Sequence, residues 1–273
     1  MLDQQVPQKN NISLSPPAVI EKIFHKDKTF FVVRDDLLPG GSKQRACAPF
    51  LEDLVKKGFD QFYYASPFAG FAQVALAYTC QQLGLKCVLF CEKDQTKESP
   101  NAKHEFTQLA ESYGAKIIIL ATLDQCEKQA KREALMAPRT FKIPLGFNCE
   151  SFTTAFEKEL RHQWTEVIQS IKLNPERLWL PVGSGTLASV FDRVLPASTQ
   201  IMCVDVRVLA ASDQRILSLI HKPRINLYSA PEYFHESADL PPAIPSNTHY
   251  DAKIWQFLSK FGHNHDLWWN VAR

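Results

Sequence analysis

From residue 29 to 120 the chain alternates short β-rich runs with amphipathic helical stretches. TFFVV (29–33) is followed by QRACAPFLEDLVKKG (44–58), where Ala46, Phe50, Leu51, Leu54 and Val55 form a helical stripe. QFYYAS (61–66) then precedes the largely apolar helix AGFAQVALAYTCQQLG, and KCVLFC precedes NAKHEFTQLAESYG and KIIIL. Gly58, Gly84 and Gly114 stop the three helices. Strands that alternate with helices over such short joints pair in parallel, and each crossover covers a sheet face. The chain is therefore confined to α/β architectures with parallel sheets.

The alternation pauses at APRTFKIPLGFN (137–148), which holds two prolines and no helical stripe. A long amphipathic segment follows (152–172), then strand RLWLPV, a GSGT turn, helix LASVFDRVL and strand QIMCVDVRVLA. From residue 223 the chain is Pro-rich and irregular apart from the helical patch YDAKIWQFLSKFG. The division drawn from this pattern is discontinuous: a small α/β lobe at 46–137, inserted into a large lobe made of 1–45 and 138–273. Trp268 and Trp269 near the C-terminus are placed either against a partner subunit or against the large lobe.

With 31 Lys+Arg against 29 Asp+Glu and 45% apolar residues, the chain is not of the disordered type. Near-neutral charge leaves no bulk footprint for nucleic acid, so such a partner would need a local basic groove. Seven cysteines, an odd number without a CxxC pair, read as reduced core thiols, and no His/Cys spacing suggests a metal. The polar N-terminal stretch lacks the apolar segment of a signal peptide, and no window is apolar enough to span a membrane. A cytoplasmic protein is expected.

Four segments carry candidate chemistry. In RDDLLPGGSKQR (34–45) two glycines precede a lysine that opens a helix. Held in a dry pocket, the Lys43 amine loses its proton and can attack a carbonyl, although a lysine at such a junction is also commonly solvated. In LWLPVGSGTLAS, Gly183, Ser184, Gly185 and Thr186 join a strand to a helix, where converging N–H groups suit a phosphate. The turn is not a P-loop, and a tight turn alone would have the same composition. Tyr250, Asp251 and Lys253 precede an aromatic helix, with a helix cap as the plainer use of the aspartate. In SPFAGFAQVALAY, small residues open an apolar helix where a ligand could approach the backbone.

Together these segments resemble the fold-type II pyridoxal-phosphate enzymes, most closely the group of 1-aminocyclopropane-1-carboxylate deaminase and D-cysteine desulfhydrase. RDDLLPGGSKQR is similar to that group's R-[ED]-D-L…G-G-N-K-x-R, VGSGTLAS to its glycine-rich phosphate loop, and YDAK to its Y-[ET]-G-K segment. LGLKCVLF matches a helix-to-strand joint of the small domain, and FKIPLGFN resembles the return strand into the large one. The resemblance runs in patches from about residue 30 to 257. It departs from the group at the glycine-rich loop, one glycine short here, and in two further places. The Asn-bearing loop after the second strand is replaced by Ser66-Pro67-Phe68-Ala69-Gly70-Phe71, and the tail HNHDLWWNVAR has no counterpart.

The resemblance implies a pyridoxal 5'-phosphate lyase or deaminase of amino-acid metabolism, with two open parallel-sheet lobes as in the tryptophan synthase β fold. It places Lys43 as the Schiff-base lysine and the base for the α-proton, and Gly183–Thr186 around the phosphate. Asp251 faces the pyridine nitrogen, Tyr250 acts over the substrate as acid or nucleophile, and Ser66, Gly70 and Phe71 fall at the substrate side. Arg45 is either a charge behind the lysine or a solvated first-turn residue. The expected partner is a small amino-acid-like amine; a homodimer is implied by the resemblance alone. Two alternatives stay open. One is a decarboxylase or lyase on an amino acid attached to a larger molecule, such as a modified nucleobase in DNA. The other is a non-catalytic binding protein that keeps the fold.

Overall fold

The computed structural model describes residues 13–99 and 101–273. Residues 2–12, most of the polar stretch read above as lacking an export segment, lie outside the described residues, as does Met1. The chain forms two sheets. The smaller holds β3 (Gln61–Ser66), β4 (Lys86–Glu92), β5 (Lys116–Leu120) and β6 (Thr140–Ile143), all parallel, in the order β5-β4-β3-β6. β3 and β4 lie in the middle and are buried along most of their length, which is why they read as continuous apolar runs. Helices α2 (Ala72–Leu83), α3 (Glu105–Ser112) and α4 (Leu123–Met136) connect these strands.

The larger sheet has six strands. It is built from β1 (Ile20–His25), β2 (Lys28–Arg34), β7 (Arg177–Val182), β8 (Gln200–Asp205), β9 (Ile225–Ser229) and β10 (Leu267–Asn270). Their order is β1-β2-β10-β7-β8-β9; only the β1–β2 hairpin is antiparallel. α1 (Gly41–Lys56), α5 (Glu150–Ile171), α6 (Thr186–Val194), α7 (Gln214–Ile220) and α8 (Trp255–Phe261) complete the fold. The α5 stripe of Phe152, Phe156, Leu160, Trp164 and Val167 recurs at helical spacing and is buried against the common core.

Four expectations differ from the structure. Residues 140–143, assigned to the large lobe from sequence, complete the small sheet: Gln61 to Tyr64 of β3 pair with Thr140 to Ile143. β3 needs a partner on its free edge, and the chain turns toward the large lobe only after Ile143. The division at 45/46 falls inside α1, an unbroken helix whose Phe50 packs on Phe152 of α5 and on Phe147. The tail without a counterpart is β10, near the middle of the large sheet between β2 and β7. Trp268 and Trp269 are fully buried within this chain: Trp268 joins Phe30, Val32 and Trp179, and Trp269 packs edge-on against Phe191. The region read as irregular from residue 223 contributes β9 at the sheet edge. No helix among the described residues is long and apolar enough to cross a membrane.

Candidate active site

Lys43 lies in the first turn of α1, held there by its neighbours in the motif. A Cβ on Gly40 would come within 2.6 Å of Ala75 Cα, and one on Gly41, where φ is +62°, would overlap the Val271 carbonyl. The two glycines thus let the start of α1 enter between α2 and the end of β10. The preceding aspartates fix the junction. Arg34 pairs with Asp36 at 2.7 Å, and Arg45 with Asp35 at 2.6 Å. Asp35 also accepts from Trp269 Nε1 at 2.7 Å. Of the two readings of Arg45, the structure shows a buried charge behind the lysine. Burial holds the Lys43 amine below the usual lysine range; the Cys47 thiol and the Asp251 carboxyl act the other way.

The 183–186 turn joins β7 to α6. Gly183 admits no Cβ, which would sit 2.8 Å from the Tyr250 ring, and Gly185 has φ +78°, a left-handed conformation. Ser184 Oγ and Thr186 Oγ1 lie 3.1 Å apart, and Thr186 Oγ1 donates to the Gly146 carbonyl at 3.0 Å. Gly146, in the loop that returns from β6, has φ +69°, and a Cβ there would overlap the Ser184 side chain. Its N–H donates to the Tyr64 hydroxyl of β3 at 3.2 Å. Sequence reading did not place Gly146 or Tyr64 beside the 183–186 turn; Tyr64 was read only as core or as an aromatic suited to a bulkier substrate. The glycine in PLGFN was the available signal for one; a tyrosine inside a buried apolar strand was the signal for the other.

Asp251 is fully buried, and its two carboxylate oxygens accept from the N–H groups of Val271 (2.7 Å) and Ala272 (3.2 Å). Burial raises its carboxyl well above the usual range; the backbone donors oppose that, and the nearby Asp36 adds to it. Burial likewise pushes the Tyr250 phenol up, so it keeps its proton at neutral pH.

These groups line one cavity. Lys43, Gly183 to Leu187, Tyr250, Asp251, Val271 and Ala272 line it from the large lobe; Tyr64, Pro67, Gly70, Phe71 and Ala72 line it from the small lobe. Of the three substrate-side residues expected from sequence, Gly70 and Phe71 reach the cavity. Ser66 is absent from its lining: it is buried, and its hydroxyl donates to the Pro67 carbonyl at 3.0 Å. Gln73 ties the same loop down by donating to the Gly70 carbonyl at 2.8 Å.

The donor set fits a phosphorylated carbonyl cofactor. An amine held below its ordinary range, a turn with glycines where side chains have no room, and a buried carboxyl share one cavity. The family profile described as "Pyridoxal-phosphate dependent enzyme" matches residues 18–244. The chain belongs to that family, in its fold-type II branch, and pyridoxal phosphate is its cofactor. It superposes on an ACC deaminase homologue with a TM-score of 0.77 at 15% identity, covering 96% of this chain and 91% of that one. O-acetylserine dependent cystathionine beta-synthase from Helicobacter pylori gives 0.71 at 16% identity, covering 95% and 93%. Escherichia coli diaminopropionate ammonia lyase gives 0.67 at 14%, covering 97% and 84%. No curated protein matches by sequence.

Proposed function

We propose that this protein is a pyridoxal-phosphate dependent lyase or deaminase acting on a small amino-acid-like amine. The observation that carries the reading is the convergence of Lys43, the 183–186 turn, Tyr250 and Asp251 on one cavity. Lys43 and the turn would hold the cofactor at its two ends, with Asp251 toward the ring nitrogen. The cofactor, when bound, supplies an electron sink that lets a bond at the α-carbon of an amine break heterolytically.

The side chains supply the rest. Lys43 Nζ, neutral more readily than an exposed lysine, takes the α-proton. Tyr250 retains its proton and serves as the acid toward the group that leaves. The Val271 and Ala272 N–H groups hold the Asp251 carboxyl in place, and a cationic ring nitrogen beside it would offset its burial cost.

The test is direct. Purified protein with added pyridoxal phosphate should be yellow, and borohydride reduction followed by peptide mass spectrometry should locate the cofactor on Lys43. Incubation with small D- and L-amino acids should then release ammonia or a keto acid. A colourless protein that ignores the cofactor supports a non-catalytic binding protein instead. A coloured protein inert to every small amino acid points to an amine carried on a larger molecule.

A further inference from the structure

Tyr64 stands out among the groups around the cavity. Its side chain is 1% exposed, and it projects from β3 of the small sheet into the same cavity as the 183–186 turn of the large one. A T-shaped contact with Phe147, centroids 5.3 Å apart, fixes the ring. The hydroxyl accepts from the Gly146 N–H, which occupies an oxygen lone pair and leaves the phenolic proton free. Among the described residues no protein acceptor takes that proton. A buried donor without an acceptor is costly, so a tyrosine here is explained by a ligand that supplies one.

The neighbours indicate which part of a ligand lies there. Gly146 bonds Tyr64 through its N–H and the phosphate turn through its carbonyl, which accepts from Thr186; the Ser184 side chain fills the space where a Cβ of Gly146 would be. The Tyr64 hydroxyl is therefore one residue away from the two hydroxyls of that turn. Arg215, at the start of α7 behind Gly185, is paired with Asp213 at 2.8 Å; its charge acts on Tyr64 more weakly than that of Glu127 and in the opposite sense. Burial keeps the phenol protonated, hence a donor, at neutral pH.

We propose that the Tyr64 hydroxyl donates a hydrogen bond to the cofactor phosphate, so that phosphate occupancy ties the small lobe to the large one. The inference rests on the assignment of residues 183–186 as the phosphate's seat. It adds a contact to that seat from the small lobe.

The experiment compares pyridoxal phosphate with pyridoxal, which lacks the phosphate, by titrating cofactor-free protein and following the visible band. Tyr64→Phe keeps the ring contacts and removes only the hydroxyl. Its affinity for pyridoxal phosphate should fall by about 10-fold, as for loss of a bond to a charged acceptor, while pyridoxal affinity stays within about 2-fold. Inorganic phosphate should also compete less well in the variant. If both cofactors weaken equally, or neither weakens, the proposal is overturned. Wild-type protein that shows no preference for the phosphorylated form sinks the phosphate seat itself, independently of the variant. Should Tyr64→Phe not fold, Tyr64→Leu undergoes the same two titrations, with the ratio of the two affinities as the deciding quantity.

Discussion

The two walls of the cavity differ in kind. The large-lobe side carries the polar groups, an amine, two hydroxyls, a phenol and a carboxyl; the Thr186 hydroxyl is bonded to the Gly146 carbonyl and the carboxyl is held by two backbone N–H groups. The small-lobe wall is Pro67, Gly70, Phe71 and Ala72, with Tyr64 at one end as its single hydroxyl. A wall that holds a cofactor needs preorganised donors; a wall that meets a substrate needs a shape. On the proposed function, the difference gives chemistry to one lobe and selection to the other, with Tyr64 and Gly146 where the two meet.

That division can be broken from either side. Lys43→Ala should have the largest effect, loss of the covalent cofactor and a fall in turnover of about 10³-fold or more, read by absorbance and by ammonia release. Gly146→Ala comes next. It places a side chain at φ +69° and on top of Ser184, so cofactor affinity should drop about 10-fold or more, with a lowered melting temperature. On the facing wall, Phe71→Ala should leave cofactor affinity within about 2-fold and change KM for the amine by about 10-fold. If Phe71→Ala instead costs the cofactor, the division between the walls is wrong.

The smallest effect concerns pH at the lobe contact. His104 stands before α3 and His249 just before Tyr250, their ring centroids 5.4 Å apart. Burial lowers both below the ordinary histidine value of 6.5, and for His104 the neighbouring His249 adds to the lowering. Asp94, Glu105 and Lys97 also face His104; Lys253 and Glu105 face His249. Since the unfolded chain then binds more protons, stability is lost as pH falls from 6.5 toward the folded values. The slope is at most about 1.4 kcal/mol per pH unit for each group. His249→Gln should flatten the fall between pH 7 and 5 in urea unfolding; an unchanged slope would show that the pair does not titrate in that range.

Much of this site was legible in the chain because each of its segments is local. Gly40-Gly41 before Lys43, the GSGT turn after an apolar strand, and Tyr250-Asp251 each sit at a strand-to-helix or loop-to-helix junction whose composition is unusual by itself. Other contributions were illegible because they depend on pairing between distant segments. Arg45 has the sequence of a solvated first-turn residue, and only its pairing with Asp35, itself bonded by Trp269, makes it a buried charge. Ser66 has the composition of a ligand contact, but the turn closes its hydroxyl onto Pro67.

The alternation of strands and helices, the parallel sheets and the two glycine turns before Lys43 and after β7 were set by local pattern, since periodicity and glycine placement act within a few residues. The tertiary structure alone decided the rest. β6 joined the small sheet because β3 had an open edge. The tail became β10 because Trp268 and Trp269 are buried there between β2 and β7, and the residues just beyond it bond Asp251. Hydrophobic burial and backbone hydrogen bonding between segments more than two hundred residues apart leave no trace in local pattern, and the last strand of the chain is where that distance is greatest.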